Sequence, residues 1–362
     1  MFNKKLYSII LILAMSINSF VLAAKENLEQ DVKTKNNEEL AQKYHQEGRS
    51  LAKLGKWQEA IEINDLAMRY KPDFADAYYN KGVFLDQLGK KQEAIDAFDM
   101  VVRYKPSYFE AYVNKGGILS ELGKKQEAVE AYNLAIKYKP DDARAYFNKG
   151  TLLMDLNKLE EAIKSLDLAI KYRSDHSKTY YVKGLTLTKL NKWQEAVDAF
   201  DLAIKYKSDD VEAYFYKGVS LTHSNKWQEA IEIYDLAIKY KPDFVEAYFY
   251  KSGALVELDK LQEAIESLDL AIKHKHDYVN AYLLKGVCLS DLHKWLESIE
   301  ILDLAIKYEP KFAEAYYYKG RALANLNKYL EAIDVLDLAI KYKPDYSEAK
   351  LMRDAIMKKL GK

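Results

Sequence analysis

Glycine returns every 34 residues in this chain, at Gly48, Gly82, Gly116, Gly150, Gly184, Gly218, Gly286 and Gly320, with Ser252 in the one slot between the last three. All six prolines keep the same interval, at Pro72, Pro106, Pro140, Pro242, Pro310 and Pro344. A fixed period of this length means one supersecondary unit that buries its apolar face by stacking on copies of itself. Set out from Ala41, the chain holds nine units, beginning at 41, 75, 109, 143, 177, 211, 245, 279 and 313 and ending at Tyr346.

Each unit reads as two helices. From Ala75, the string ADAYYNKGVFLDQL gives the first, Gly89 the turn, and KKQEAIDAFDMVVRY the second. The turn residue is Gly55, Gly89 and Gly123, then Asn157, Asn191, Asn225, Asp259, His293 and Asn327. Gly and Asn accept a left-handed backbone cheaply at a helix end, and the proline then stops the second helix. No strand pattern occurs. Composition agrees, with only 14 Gly and 6 Pro in 362 residues, below the ordinary shares of roughly 7% and 5%.

Tyr fills the fourth place of all nine units, from Tyr44 to Tyr316, and the thirtieth place of eight, with His274 in the other; together these are 17 of the 30 tyrosines. That regularity predicts helix-packing rings rather than a base-stacking platform. Small residues at the eighth place, and alanines such as Ala60, Ala94, Ala128, Ala162, Ala196, Ala230, Ala264 and Ala332, allow close helix approach. On the second helix an acid precedes a base by four, as in Asp201–Lys205, Asp235–Lys239, Asp303–Lys307 and Asp337–Lys341, which predicts pairs worth about 0.2–0.5 kcal/mol each.

The unit resembles the tetratricopeptide repeat (TPR), with an aromatic at place 4, Gly at 8, Ala at 20, an aromatic at 24, Ala at 27 and Pro at 32. Unit 211–244 shows it with Tyr214, Gly218, Leu221, Trp227, Ala230, Tyr234, Ala237 and Pro242. Two departures stand out. The seventh place is Lys in eight units, Lys81 to Lys319, where the family prefers an apolar residue. Pro gives way to Ser174, Ser208 and His276, leaving those unit ends less sharply specified. The resemblance implies an all-α, right-handed solenoid of antiparallel helix pairs: nine repeats and a C-terminal capping helix over 347–362, nineteen helices in all. Lys350, Arg353, Asp354, Lys358 and Lys359 should keep the outer face of that cap polar.

Ahead of the repeats, residues 1–23 read as a secretory signal: Lys4 and Lys5, the apolar run Ile9–Met15, then the small residues of Val21-Leu22-Ala23. Cleavage would leave an exported chain, periplasmic or secreted and not inserted in a membrane. Retention of the segment as an anchor is the alternative. Residues 24–40 form a polar linker or frayed helix, with a helix start expected at Asn36 or Asn37.

Chemistry leaves little trace. Equal counts of 55 basic and 55 acidic residues remove the electrostatic reason to expect nucleic acid. No phosphate-binding, dinucleotide, zinc-protease or nucleophile-elbow motif occurs. Cys288 stands alone and suits packing. No catalytic residue, cofactor or metal is expected.

What varies is the sixth place of the first helix, about 200° around from the packing Tyr. TPR arrays present this face to a concave groove that holds peptides or proteins. Here it carries Asn80, Asn114 and Asn148, a ladder of amides able to bond an extended peptide backbone. Arg144 and Lys178 supply a basic end. Later units are aromatic, with Phe215, Tyr216, Phe249, Tyr250, Tyr317 and Tyr318 beside Glu212, Glu246 and Glu314. Only Asn114 and Arg144 approximate the two-carboxylate clamp of chaperone-binding TPR domains, so that clamp is not expected. The reading is a non-enzymatic scaffold binding an unidentified protein or peptide through the groove. The alternative is an envelope assembly factor or anchor that supports a partner enzyme through the opposite face.

Overall fold

The computed structural model describes residues 2–361, with the side chains of residues 2–22 and 29 left out of the description. The backbone of the signal segment is helical from Phe2, and its side chains, apart from that of Ala23, lie outside the described residues. Among the described residues there are helices and no strands. Helix α1 spans Phe2–Lys53 and pairs with α2, Trp57–Tyr70. Pairs α3/α4 (Ala75–Gln87, Lys91–Tyr104), α5/α6 (Phe109–Glu121, Lys125–Tyr138) and α7/α8 (Ala143–Asp155, Leu159–Tyr172) follow. Then come α9/α10 (Ser177–Lys189, Trp193–Tyr206), α11/α12 (Val211–His223, Trp227–Tyr240) and α13/α14 (Val245–Glu257, Leu261–His274). The series ends with α15/α16 (Val279–Asp291, Trp295–Tyr308), α17/α18 (Ala313–Asn325, Tyr329–Tyr342) and the single α19 (Ser347–Lys359). The chain separates into two compact units, Met1–Tyr172 and Arg173–Lys362, taken one at a time below as the first and second half.

The turns inside the pairs behave as their residues dictate. Gly55, Gly89 and Gly123 have φ of 73–75°, and Asn157, Asn191, Asn225, Asp259, His293 and Asn327 have φ of 57–61°. Each second helix stops at place 30 whether Pro, Ser or His follows. The ends lacking proline keep a tie that proline-bearing ends also make. The place-4 hydroxyl donates to the carbonyl six residues earlier, from Tyr180 to Ser174, Tyr214 to Ser208 and Tyr282 to His276 at 3.0–3.2 Å, as Tyr248 does to Pro242.

The rings at places 4 and 30 meet in every pair, with centroids 5.5–5.9 Å apart, from Tyr44–Tyr70 through Tyr248–His274 to Tyr316–Tyr342. They are structural. The place-8 glycine lies under the place-24 side chain: a Cβ on Gly82 would sit 2.8 Å from Phe98, and one on Gly218 2.5 Å from Tyr234. Only a bare backbone permits that approach.

Three expectations need correction. Helix α1 runs unbroken past Asn36 and Asn37, which cap nothing. Residues 24–40 contain no Pro or Gly to stop it, and most of them are exposed. The second correction concerns the acids of the second helix. Asp201, Asp235 and Asp303 reach not the lysine four residues on but Lys217, Lys251 and Lys319 of the next repeat, sixteen on. Asp65–Lys81, Asp99–Lys115, Asp269–Lys285 and Asp337–Arg353 make the same tie. The atypical place-7 lysine is thus one half of an inter-repeat ion pair. The break comes at Lys149, half-buried, because the residue sixteen earlier is Asn133 where the other repeats have Asp. Burial holds its pKa below the usual lysine range, against Glu161. Third, α19 is not wholly polar outside: Leu351, at place 5, is 71% exposed.

Candidate functional site

The expected ligand contacts lie at places 2, 5 and 6 of the first helices. In the first half the three asparagines are half-buried, and each is engaged by a neighbouring side chain. Asn80 Nδ2 lies 3.3 Å from His45 Nδ1, and Asn114 Nδ2 donates to the Tyr79 hydroxyl at 3.0 Å. Asn148 lies near the Tyr132 hydroxyl, where it opposes the burial that pushes that hydroxyl's pKa up to about 12. The first two bonds tie adjacent helices and leave the carbonyl oxygens of Asn80 and Asn114 with no protein donor among the described residues. Arg144 is exposed, its Nε 4.0 Å from Asp142. His45 is buried, which lowers its pKa, with Asn64 and Asp76 opposing and Arg49 adding to the shift. Asn64, fully buried beside it, bonds the Ala60 carbonyl through Nδ2.

In the second half the aromatics divide. Phe215 is only 9% exposed, packed against Phe244 at 5.1 Å and Tyr250 at 5.3 Å. It belongs to the core more than to any surface. Tyr216 is half-buried between Phe200 and Tyr181. Phe249 leans on Tyr278 at 5.2 Å, and Tyr250 is 40% exposed. Tyr317 sits against Tyr318 and Tyr346, both at 5.1 Å, and the Arg321 guanidinium stacks over Tyr318. The structure thus brings Phe215, Tyr216 and Tyr250 into one cluster and Tyr317 and Tyr318 into another. Of the carboxylates, Glu212 accepts from the Tyr181 hydroxyl at 3.1 Å. Glu314 is paired with Lys343 at 2.9 Å, which holds its carboxyl below the usual range. Glu246 is exposed. Cys288 is fully buried, and burial pushes its thiol up to about 11, an inert packing group.

Sequence reasoning passed over places 31 and 34, in the loop between repeats. Among the ring contacts of the described residues, the place-34 ring packs on the place-5 ring at 5.0–5.2 Å in at least five repeats: His45–Phe74, Tyr79–Tyr108, Phe215–Phe244, Phe249–Tyr278 and Tyr317–Tyr346. The place-31 lysine of the same five lies over that second ring, at 4.7–6.0 Å. The signal was available, since place 34 switches from Phe or Tyr to Asp142, His176 and Asp210 in the middle of the chain. Asp142 and Asp210 instead cap the next helix, accepting from the backbone of Ala145 at 2.8 Å and Ala213 at 3.2 Å. Beside Asp210 opens a cleft of about 650 Å³, lined by Lys178, Tyr181, Lys207, Asp209 and Glu212 among others. The basic Lys178 belongs here, exposed at its rim.

A tetratricopeptide repeat family model matches residues 45–109, 89–137, 113–176, 181–243, 224–279 and 283–347. No curated protein matches the sequence significantly. Among solved structures the chain is similar to Pseudomonas aeruginosa pilF, at 16% identity over 60% of this chain and 99% of that one, with a TM-score of 0.52. A tetratricopeptide repeat protein from Parabacteroides merdae matches at 16% identity over 78% and 98%, with a TM-score of 0.48. YrrB, described as a TPR protein with an unusual peptide-binding site, matches at 21% identity over 53% and 99%, with a TM-score of 0.47. With the repeat models spanning most of residues 45–347 and the helix pairs in tandem, this chain belongs to the tetratricopeptide repeat family.

Proposed function

We propose that residues 41–346, as nine 34-residue units closed by α19, form a non-catalytic scaffold that holds a protein or extended peptide along the inner row of first helices. The observation that carries this reading is the asparagine row. Asn80 and Asn114 each direct the amide donor to the repeat before and keep an oxygen free, an arrangement suited to accepting from a peptide N–H. Scaffold places such as 4, 8 and 20 hardly vary along the chain, whereas place 6 changes from Asn to Val, Tyr and Leu. Replacing all three asparagines by Ala should weaken a captured partner at least tenfold, as measured by calorimetry below the melting range. An affinity change under twofold removes the groove from the reading.

A second reading uses the second helices. Place 18 is Gln or Glu in seven repeats but Leu296 and Leu330 in the last two, 63% and 60% exposed. Partner binding lost in a Leu296→Gln/Leu330→Gln variant, and kept in the asparagine variant, would favour support of a partner through that face. Export through residues 1–23 is part of the proposal, and mass spectrometry of the mature N-terminus tests it. A chain that keeps Met1 and fractionates with membranes would point to an anchor. Among the described residues no helix is long and apolar enough to cross a membrane.

A further inference from the structure

Five repeats build a box at the loop between helix pairs: a ring at place 5, a ring at place 34 against it, and the place-31 lysine above. The repeat that begins at Ser177 has two of the three parts. Tyr181 supplies the first ring and Lys207 the cation, but place 34 is Asp210. Its carboxylate is turned back to accept from the Ala213 N–H at 3.2 Å and to meet Lys207 Nζ at 3.9 Å. Tyr181 touches rings only on its other sides, Phe200 at 6.1 Å and Tyr216 at 6.2 Å. The missing ring leaves the cleft of about 650 Å³ already described.

We propose that this cleft receives an aromatic side chain, Phe or Tyr, from a partner segment, in the position that Phe244 and Tyr108 fill for other repeats. The five filled boxes show what fits: a ring tilted by 45–56° to the place-5 ring, or stacked on it at 25° as Tyr108 is on Tyr79, with an ammonium over its face. Each such contact is favourable, since a ring pair adds to area burial and a cation prefers the ring face. The rim defines the neighbour of that aromatic. Asp209 is exposed and makes no ion pair among the described residues, and Glu212 holds only the Tyr181 hydroxyl. With Lys207 paired to Asp210, the one other lysine of the rim is Lys178, so these two carboxylates leave the rim net acidic, and a Lys or Arg beside the aromatic complements it. The proposal rests on the reading of the chain as a partner-binding scaffold and names one chemical feature of the partner.

The probe is the peptide acetyl-Gly-Lys-(para-fluoro-Phe)-Gly-amide, titrated with the full chain and followed by fluorine NMR. Saturable binding is expected, displaced by the unlabelled Phe peptide and not by its Ala counterpart. Asp210→Phe supplies the missing ring from within the chain and should weaken the probe at least tenfold with unchanged circular dichroism. If that variant fails to fold, Tyr181→Leu keeps the apolar wall and should weaken the probe about 2- to 10-fold, the worth of one ring pair. Exchanging the probe's Lys for Glu should weaken it as well. No saturable binding, displacement by the Ala peptide, or equal affinity in Asp210→Phe overturns the proposal. The triple asparagine variant separates the two readings. Probe affinity there should match the unaltered chain, whereas a captured partner that needs the asparagines while the probe never binds overturns the cleft and leaves the scaffold standing.

Discussion

The two halves of the chain use one scaffold and present different chemistry. Up to Tyr172 the sixth place is an amide row, Asn80, Asn114 and Asn148; beyond it the same place holds Val182, Tyr216, Tyr250, Leu284 and Tyr318. Places 4, 8 and 30 scarcely notice the change. Tyr112–Tyr138 in the first half and Tyr214–Tyr240 in the second stack at 5.7 and 5.6 Å, and Gly116 and Gly218 are both pressed by a tyrosine ring. A repeat therefore separates residues that fix the fold from residues free to specify what is bound. In an enzyme core the two sets usually overlap.

The largest effects should fall on the shared scaffold, and equally in the two halves. Phe98→Ala and Phe200→Ala each remove a fully buried ring and should cost about 3–5 kcal/mol. Urea unfolding should show the loss confined to the half that carries the change. A variant that melts both halves together would break the contrast, because the units would then be one cooperative body.

Next in size is the amide row. Asn80 and Asn114 bond neighbouring side chains, so the triple Ala variant should lose about 0.5–1.5 kcal/mol for each of those two bonds, besides its partner affinity. Tyr250→Ala, at an exposed position, should cost less stability than any one of the core rings. Thermal melts of both variants check the order.

Acid should reach each half through one histidine, His45 in the first and His176 in the second, both held below the ordinary histidine pKa chiefly by burial. The folded pKa of His45 lies below its unfolded value near 6.5, chiefly through burial. Its contribution to stability is therefore present above that value and is lost as pH falls through 6.5 toward the lowered folded pKa. Protection factors of the α2 amides, which divide out the intrinsic pH dependence of exchange, should fall from about pH 6 downward, and His45→Gln should remove that dependence; protection factors that ignore pH contradict it.

The smallest effect concerns the unmatched tie. Asn133→Asp offers Lys149 the partner its counterparts have, and should add at most about 1 kcal/mol, as exposed pairs do. NMR titration should show the Lys149 pKa rising.

How much of this was legible depended on whether a feature repeats in sequence or only in space. The turn residues Gly55 through Asn327 could be assigned because the left-handed requirement is local to one residue. The ring pairs followed from two columns of tyrosine. The Asp–Lys ties did not follow, because Asp201 has a lysine at four and another at sixteen, and only the stacking of helices chooses between them. The amide donors of the asparagines were equally hidden, since two of the partners, His45 and Tyr79, share place 5 with different residue types and the third, Tyr132, sits at place 24. Phe215 looked like a surface ring on residue type alone, and Phe244 is what buries it.

The ion-pair ties span 16 residues and the stacked rings 26. Neither reaches beyond the next repeat, so no contact of either kind registers how many repeats the chain has. Duplication or loss of one 34-residue block at the gene level would leave every such contact with a partner, provided α19 stays last. Array length in a chain of this kind is thus an evolutionary variable almost free of folding constraint, set by the size of what it must hold.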